Sequence, residues 1–91
     1  MRIVRVTVRG RVQGVGFRDW VARKARALEL AGWVRSRSDG SVEIFAAGEP
    51  RAIEQLVEAA RQGPSLARVA ELDVEDAQAE VPAGFTRRPT L

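Results

Sequence analysis

The chain has 91 residues, fifteen of them basic and twelve acidic, which gives a formal net charge of +3 at pH 7. It contains no cysteine and no histidine, which excludes a disulfide framework, a thiol nucleophile and the commonest protein ligand for metals. We expect residues 1–91 to form one domain of two packed layers.

The distribution of charge indicates where the protein acts. Met1–Arg5 is charged every few residues, so neither the apolar core of a signal peptide nor a membrane span is predicted. The basic residues are spread along the chain without a long run, so a nucleic-acid-binding tail is not indicated. We expect a cytoplasmic monomer with neither a nucleic acid nor a membrane as its partner.

An alternating stretch begins the chain and predicts the first strand. Valines at positions 4, 6 and 8 alternate with Arg5, Thr7 and Arg9, as in a strand with one buried and one polar face. After a loop, apolar residues recur at helical spacing and predict a helix of about 13 residues. The stripe that this helix turns towards the core consists of Phe17, Val21, Ala25 and Leu28.

A hairpin follows this helix. Ala31–Ser36 and Ser41–Ala47 are predicted strands, and Val42, Ile44 and Ala46 form the inward face of the second. The segment 38–40 between them ends in aspartate and glycine, which favour a tight turn with positive φ. The two strands are therefore predicted to pair antiparallel.

The second half of the chain completes the layers. A second helix is predicted from about Pro50 to the Gly63-Pro64 stop, with a buried stripe of Ile53, Leu56, Val57 and Ala60. A fourth strand is predicted around Val69–Val74 and a short edge strand at Phe85–Arg88. The order β-α-β-β-α-β with a short fifth strand indicates an α+β fold, an antiparallel sheet with two helices on one face.

The loop between the first strand and the first helix is the candidate binding site. Glycines at 10, 14 and 16 allow positive φ and close approach of the backbone to a ligand, so successive N–H groups can cradle an anion. Arg18 falls in the first helical turn, where the helix dipole disfavours a cation unless an anion is bound. The alternative is a plain glycine-rich turn with a solvated arginine. Walker A and Rossmann motifs are incomplete here.

Two segments resemble the signatures of the acylphosphatase family. Gly10–Arg18 is similar to the first signature, and Gly32–Arg35 followed by Asp39–Glu43 is similar to the second. The resemblance covers nearly the whole chain and implies a ferredoxin-like βαββαβ sandwich. It also implies a hydrolase that cleaves the carboxyl–phosphate bond of small acyl phosphates by in-line attack of water. The implied reaction needs no metal, no cofactor and no covalent intermediate.

The resemblance also implies roles for individual residues. Arg18 and the residue at position 36 are the catalytic residues that it predicts. The predicted phosphate-binding residues are Gln13, Gly14, Val15, Gly16, Phe17 and Arg18. The absence of histidine and cysteine is compatible with this chemistry, because a carboxylate leaves readily and phosphoryl transfer depends mainly on positioning and charge stabilisation.

One position departs from the family pattern. The family has an asparagine after Gly-Trp-Val-Arg, where it orients the attacking water, whereas this chain has Ser36 and no asparagine at all. A serine hydroxyl is shorter than an amide and carries its donor and acceptors on one atom. We therefore predict reduced hydrolysis with phosphate binding preserved. A serine nucleophile is disfavoured because no histidine is present to activate it.

Other residues have simpler interpretations. Phe17 and Trp33 are predicted to pack beside the loop, Arg35 and Arg37 to be solvated at a strand edge, and Asp39 to form the turn. The side-chain amide of Gln13 is a reserve candidate for holding water.

Two alternative functions stay open. One is a non-catalytic module that binds phosphate or an acyl phosphate. The other is RNA binding, which shares the same element order but is disfavoured because the first strand has no aromatic residue and the third has only Phe45.

Overall fold

The computed structural model describes all of residues 1–91. The elements are β1 (Arg2–Arg11), α1 (Phe17–Ala27), β2 (Ala31–Ser36), β3 (Val42–Gly48), α2 (Pro50–Gln62), β4 (Arg68–Asp76) and β5 (Phe85–Arg87). Their order confirms the predicted β-α-β-β-α-β arrangement with a short fifth strand. Neither helix has the length and apolar character needed to span a membrane.

Most predicted boundaries differ from the observed ones by only a few residues. The predicted bounds of β2 are those observed, and β3 begins at Val42, one residue later than predicted. The helix α1 has 11 residues and ends early because Leu28 is its C-cap and Glu29 turns into the left-handed region with φ 58°. The strand β4 continues through the acidic residues to Asp76, since an edge strand exposes that side to water.

The sheet has the strand order β4-β1-β3-β2-β5. The pairs β1–β3, β1–β4 and β2–β3 are antiparallel, as predicted, whereas the short β5 runs parallel to β2 and makes the sheet mixed. The direction of β5 follows from the path of the chain. Because β4 runs opposite to both β1 and β2, a chain that reverses after β4 and reaches the far edge must run with β2.

Both helices cover one face of the sheet and enclose the core. The valines of β1 at positions 4, 6 and 8 are at most 1% exposed, and their partners in β3 are fully buried. The helices contribute the predicted stripes, of which only Leu28 and Val57 are merely part-buried. Each fully buried Val, Leu, Ile or Phe side chain stabilises the fold by about 1.5–3 kcal/mol. The buried residues that these stripes contribute to the core are Phe17, Val21, Ala25, Ile53, Leu56 and Ala60.

The opposite face of the sheet carries an aromatic stack. Trp33 stacks on Phe45 with ring centroids 5.7 Å apart, and the guanidinium groups of Arg35 and Arg88 lie 4.6 and 4.9 Å from the Trp33 ring centroid. The prediction that Trp33 packs beside the glycine loop is wrong. Side chains alternate along a strand, so with Val34 in the core Trp33 must face away from the helices.

A single carboxylate organises the arginines of this face. Glu43 is buried, and its carboxylate lies 3.1 Å from Arg5, 2.9 Å from Arg35 and 3.5 Å from Arg37. Arg35 donates a hydrogen bond from Nε, whereas Nε of Arg5 makes an ion contact without hydrogen-bond geometry. Arg35 and Arg37 are therefore not simply solvated, because each pairs with Glu43. We call Glu43 with Arg5, Arg35 and Arg37 the Glu43 cluster.

Candidate active site

A glycine-punctuated loop connects β1 to α1, and two of its glycines have a left-handed backbone. Gly14 has φ 73° and Gly16 has φ 78°, and open space surrounds the position of a Cβ at both. Backbone conformation rather than crowding thus favours glycine there. Gly10 differs, since it lies in a bulge between β1 and β4 where a Cβ would come within 2.2 Å of the Arg68 carbonyl oxygen.

The backbone N–H groups of this loop have no acceptor in the protein. No residue from 13 to 19 donates a backbone hydrogen bond, and the first helical bond runs from Trp20 N to the Gly16 carbonyl at 3.0 Å. No side chain caps the start of α1 either. The free donors of the loop and of the first helical turn are available to an anionic ligand.

Arg18 lies in the same pocket as these donors. Its side chain is half-buried and makes no ion pair with any carboxylate of the chain. The pocket encloses about 210 Å³, less than the roughly 300–1,000 Å³ typical of sites for drug-sized ligands. Its size and its free positive charge suit a small anion.

Most of the predicted phosphate-binding residues line this pocket. Its wall consists of Val12, Gln13, Gly14, Gly16, Phe17, Arg18, Asp19 and Arg87. Val15 is not among them, because its side chain packs against the core. Asp19 and Arg87 were not predicted from the sequence. Asp19 follows Arg18 in the first helical turn, whereas nothing in the sequence indicates that β5 lies against this end of α1.

The side chain of Gln13 fastens the loop to the β2–β3 hairpin. Its Nε2 donates to the carbonyl oxygens of Arg37 at 2.8 Å and Ser41 at 2.9 Å. Both amide hydrogens are therefore engaged, and only Oε1 is left for the water-holding role suggested by the sequence. Gln13 positions the candidate site relative to the hairpin that carries residue 36.

Ser36 lies at the end of β2, outside the pocket wall. It is 5% exposed and pairs with Val42 of β3, and its carbonyl oxygen accepts a hydrogen bond from Leu91 N at 3.0 Å. Alternation along β2 puts its side chain on the same face as Val34, the face that the helices cover. The residue after it, Arg37, is the one that Gln13 holds.

Asp39 shapes the hairpin, as predicted for a turn residue. Its Oδ1 accepts hydrogen bonds from Ser41 Oγ at 2.6 Å and Ser41 N at 2.9 Å. These two bonds, with a smaller contribution from nearby Arg9, lower the pKa of the Asp39 carboxyl from 3.8 to about 2. The ionised carboxylate fixes Ser41, whose carbonyl oxygen in turn receives Gln13.

Comparison with known proteins shows the family to which the chain belongs. The family model described as Acylphosphatase matches residues 4–87. The chain belongs to the acylphosphatase family. The acylphosphatase of Acidiphilium cryptum is 54% identical over 83 residues, which cover 89% of each chain. That of Rhodospirillum rubrum is 43% identical over 91 residues and covers all of both chains.

Solved structures of this family have the same fold. The crystal structure of acylphosphatase from Bacillus subtilis superposes with a TM-score of 0.93 at 40% identity and covers 97% of this chain and 99% of its own. An acylphosphatase from Coxiella burnetii gives a TM-score of 0.91 at 41% identity, with 96% and 92% covered. The predicted ferredoxin-like α+β fold is confirmed, and the chain is an enzyme of the acylphosphatase family.

Proposed function

We propose that this protein hydrolyses the carboxyl–phosphate bond of small acyl phosphates and that residues 13–18 form its phosphate-binding loop. The observation that carries the proposal is the meeting, in one small pocket, of unpaired backbone N–H groups and an arginine without a carboxylate partner. Such an array attracts an anion, and its fixed donors need little rearrangement as charge moves during reaction.

This hydrolysis depends on the positioning of the reacting groups rather than on a general acid or a general base. A water oxygen attacks phosphorus in line with the bond to the acyl oxygen; that bond breaks, and the acyl group leaves as a carboxylate. The water proton passes to the phosphate or to solvent. The N–H groups of the loop and Arg18 hold the phosphoryl oxygens and stabilise the charge that spreads over them in the transition state.

Residue 36 is proposed to influence the attacking water. The resemblance implies an asparagine at this position, and Ser36 is both shorter and outside the pocket wall. A water held by a serine hydroxyl is less firmly directed than one held by an amide donor and acceptor. Because misplacement of a reacting group by about 1 Å costs on the order of 100-fold in rate, we expect slow hydrolysis with phosphate binding intact.

Hydrolysis of benzoyl phosphate by the parent protein and by Ser36→Asn tests this role. We expect the asparagine variant to have a kcat about 100-fold higher, with the affinity for inorganic phosphate little changed. Ser38→Asn, at an exposed position of the same hairpin, is the matched control and should leave the rate unchanged. A parent enzyme as fast as Ser36→Asn would refute the role assigned to residue 36.

A second candidate is a binding module without turnover. It is favoured by the serine at position 36, which leaves the phosphate loop intact. Such a module would be stabilised by phosphate through mass action but would release no phosphate from benzoyl phosphate above the buffer rate. The same assay decides between the two, since the parent protein releases phosphate from benzoyl phosphate above the buffer rate if it is a slow enzyme and does not if it is a binding module.

RNA binding is the least supported alternative. RNA-binding sheets of this topology stack bases on exposed aromatic rings. Here Trp33 is 7% exposed and Phe45 is 1% exposed, and the arginines of this face are engaged by Glu43 and by the rings. These contacts disfavour RNA as a partner.

We further propose a cytoplasmic monomer, acting as one domain, whose partner is a small acyl phosphate.

A further inference from the structure

The wall of the pocket includes a second arginine, Arg87. It belongs to β5, where Phe85 is buried in the core, so alternation puts Arg87 on the face that the helices cover. There its guanidinium forms an ion pair with the carboxylate of Asp19, in the first turn of α1. Both residues line the same pocket as Arg18.

The two arginines of the pocket differ in their partners. Arg18 has no carboxylate, whereas Arg87 holds one that is easily exchanged, because its side chain is 43% exposed and that of Asp19 is 60% exposed. Exposed ion pairs contribute little to stability, so replacing one carboxylate by another costs little. A ligand in the pocket that carries its own carboxylate competes directly with Asp19 for the Arg87 guanidinium.

We propose that Arg87 determines substrate specificity by binding a distal carboxylate on the acyl group. This inference rests on the proposed function, in which the loop and Arg18 take the phosphoryl group. The acyl chain then extends from the same small pocket past Arg87. The preferred substrates are acyl phosphates of dicarboxylic acids that carry phosphate on one carboxyl group only, and Arg87 exchanges the Asp19 carboxylate for the free carboxylate of the substrate.

A simpler role for Arg87 makes a different prediction. If Arg87 only neutralises Asp19 beside an anion-binding site, its removal weakens binding of every acyl phosphate to the same extent. Removal of Asp19 together with Arg87 then restores binding. Under the specificity role, the effect of Arg87 depends on whether the substrate carries the distal carboxylate.

The experiment compares succinyl phosphate with butanoyl phosphate, which has a methyl group in place of the distal carboxylate. For Arg87→Gln we expect kcat/KM to fall about tenfold with succinyl phosphate, as for loss of a charge-assisted contact, and to stay within about twofold with butanoyl phosphate. Asp19→Asn is expected to raise kcat/KM more for succinyl phosphate than for butanoyl phosphate, because the Asp19 carboxylate no longer competes for Arg87. Arg88→Gln is the matched control, since Arg88 lies on the opposite face against Trp33.

A binding measurement distinguishes failure of this inference from failure of the proposed function. Dissociation constants are measured for 4-phosphonobutanoate and for butylphosphonate, which lacks the carboxylate. Preference for 4-phosphonobutanoate that is lost in Arg87→Gln supports the inference even if no acyl phosphate is hydrolysed. Hydrolysis of both substrates with equal losses in Arg87→Gln, reversed in the double variant with Asp19→Asn, overturns the inference and leaves the proposed function standing.

Discussion

Two regions of the molecule use arginine in opposite ways. In the Glu43 cluster three guanidinium groups lie within 3.5 Å of one buried carboxylate. At the start of α1, Arg18 is half-buried beside the free N–H groups of the glycine loop and has no carboxylate within ion-pair distance. Paired arginines fasten a sheet face, whereas an unpaired one beside unused donors is left for a ligand. Pairing with the buried carboxylate of Glu43 distinguishes the arginines of this cluster from the unpaired Arg18.

The largest expected effect on stability comes from removing the carboxylate of the Glu43 cluster. Glu43→Gln leaves three neighbouring guanidinium groups facing each other without an anion. Breaking a buried charge pair in this way is expected to lower the free energy of unfolding by on the order of 3 kcal/mol. Urea unfolding measures it, with Glu54→Gln on the exposed side of α2 as the control. An unchanged midpoint would mean that the cluster has no structural role.

The next effect concerns the link between the two regions. Gln13 binds the carbonyl oxygen of Arg37, whose side chain belongs to the Glu43 cluster. Gln13→Ala releases the loop from the hairpin, so we expect about a tenfold loss of kcat/KM for benzoyl phosphate from poorer positioning. The loss in unfolding free energy should be only about 1–2 kcal/mol.

Gln55→Ala provides the comparison for Gln13→Ala, because Gln55 is exposed on α2 and does not line the pocket. It should change neither quantity. Equal activity in the two alanine variants would show that the loop holds its shape without Gln13.

The smallest effect is a dependence of stability on acid. The folded pKa of Asp39 is about 2 and its ordinary value is 3.8, so the ionised group stabilises the folded state above the ordinary value. That contribution is lost as pH falls from 3.8 through about 2. Asp39→Asn should therefore reduce the loss of stability across this interval. Thermal unfolding between pH 2 and 6, run on both proteins, should give a flatter curve for the variant; parallel curves would contradict the assignment.

Local sequence patterns predict most of the fold. Alternating valines and the Asp-Gly turn predict β1 and the hairpin, because side-chain period and turn chemistry are short-range properties. The face occupied by Trp33 was also implicit in the alternation around Val34. The parallel direction of β5 was not predictable in this way, because it depends on the path of the chain around the whole sheet.

The candidate site was only partly accessible from sequence. The glycines of the loop and Arg18 lie close together along the chain, so their spacing identifies them. Arg87 reaches the pocket through the pairing of β5 with β2, and the bonds from Gln13 span more than 20 residues. Such long-range contacts have no local pattern, which is why Arg87 and the anchoring role of Gln13 became visible only in the structure.

The central claim is that the unpaired Arg18 and the free N–H groups beside it bind the phosphoryl group. The direct test measures inorganic phosphate binding and benzoyl phosphate hydrolysis for the parent, for Arg18→Ala and for Arg23→Ala, whose arginine is exposed on the same helix. We predict that phosphate raises the unfolding temperature of the parent and of Arg23→Ala but not of Arg18→Ala, and that Arg18→Ala hydrolyses about 100- to 1,000-fold more slowly. Equal phosphate stabilisation and equal rates in all three proteins would contradict the account.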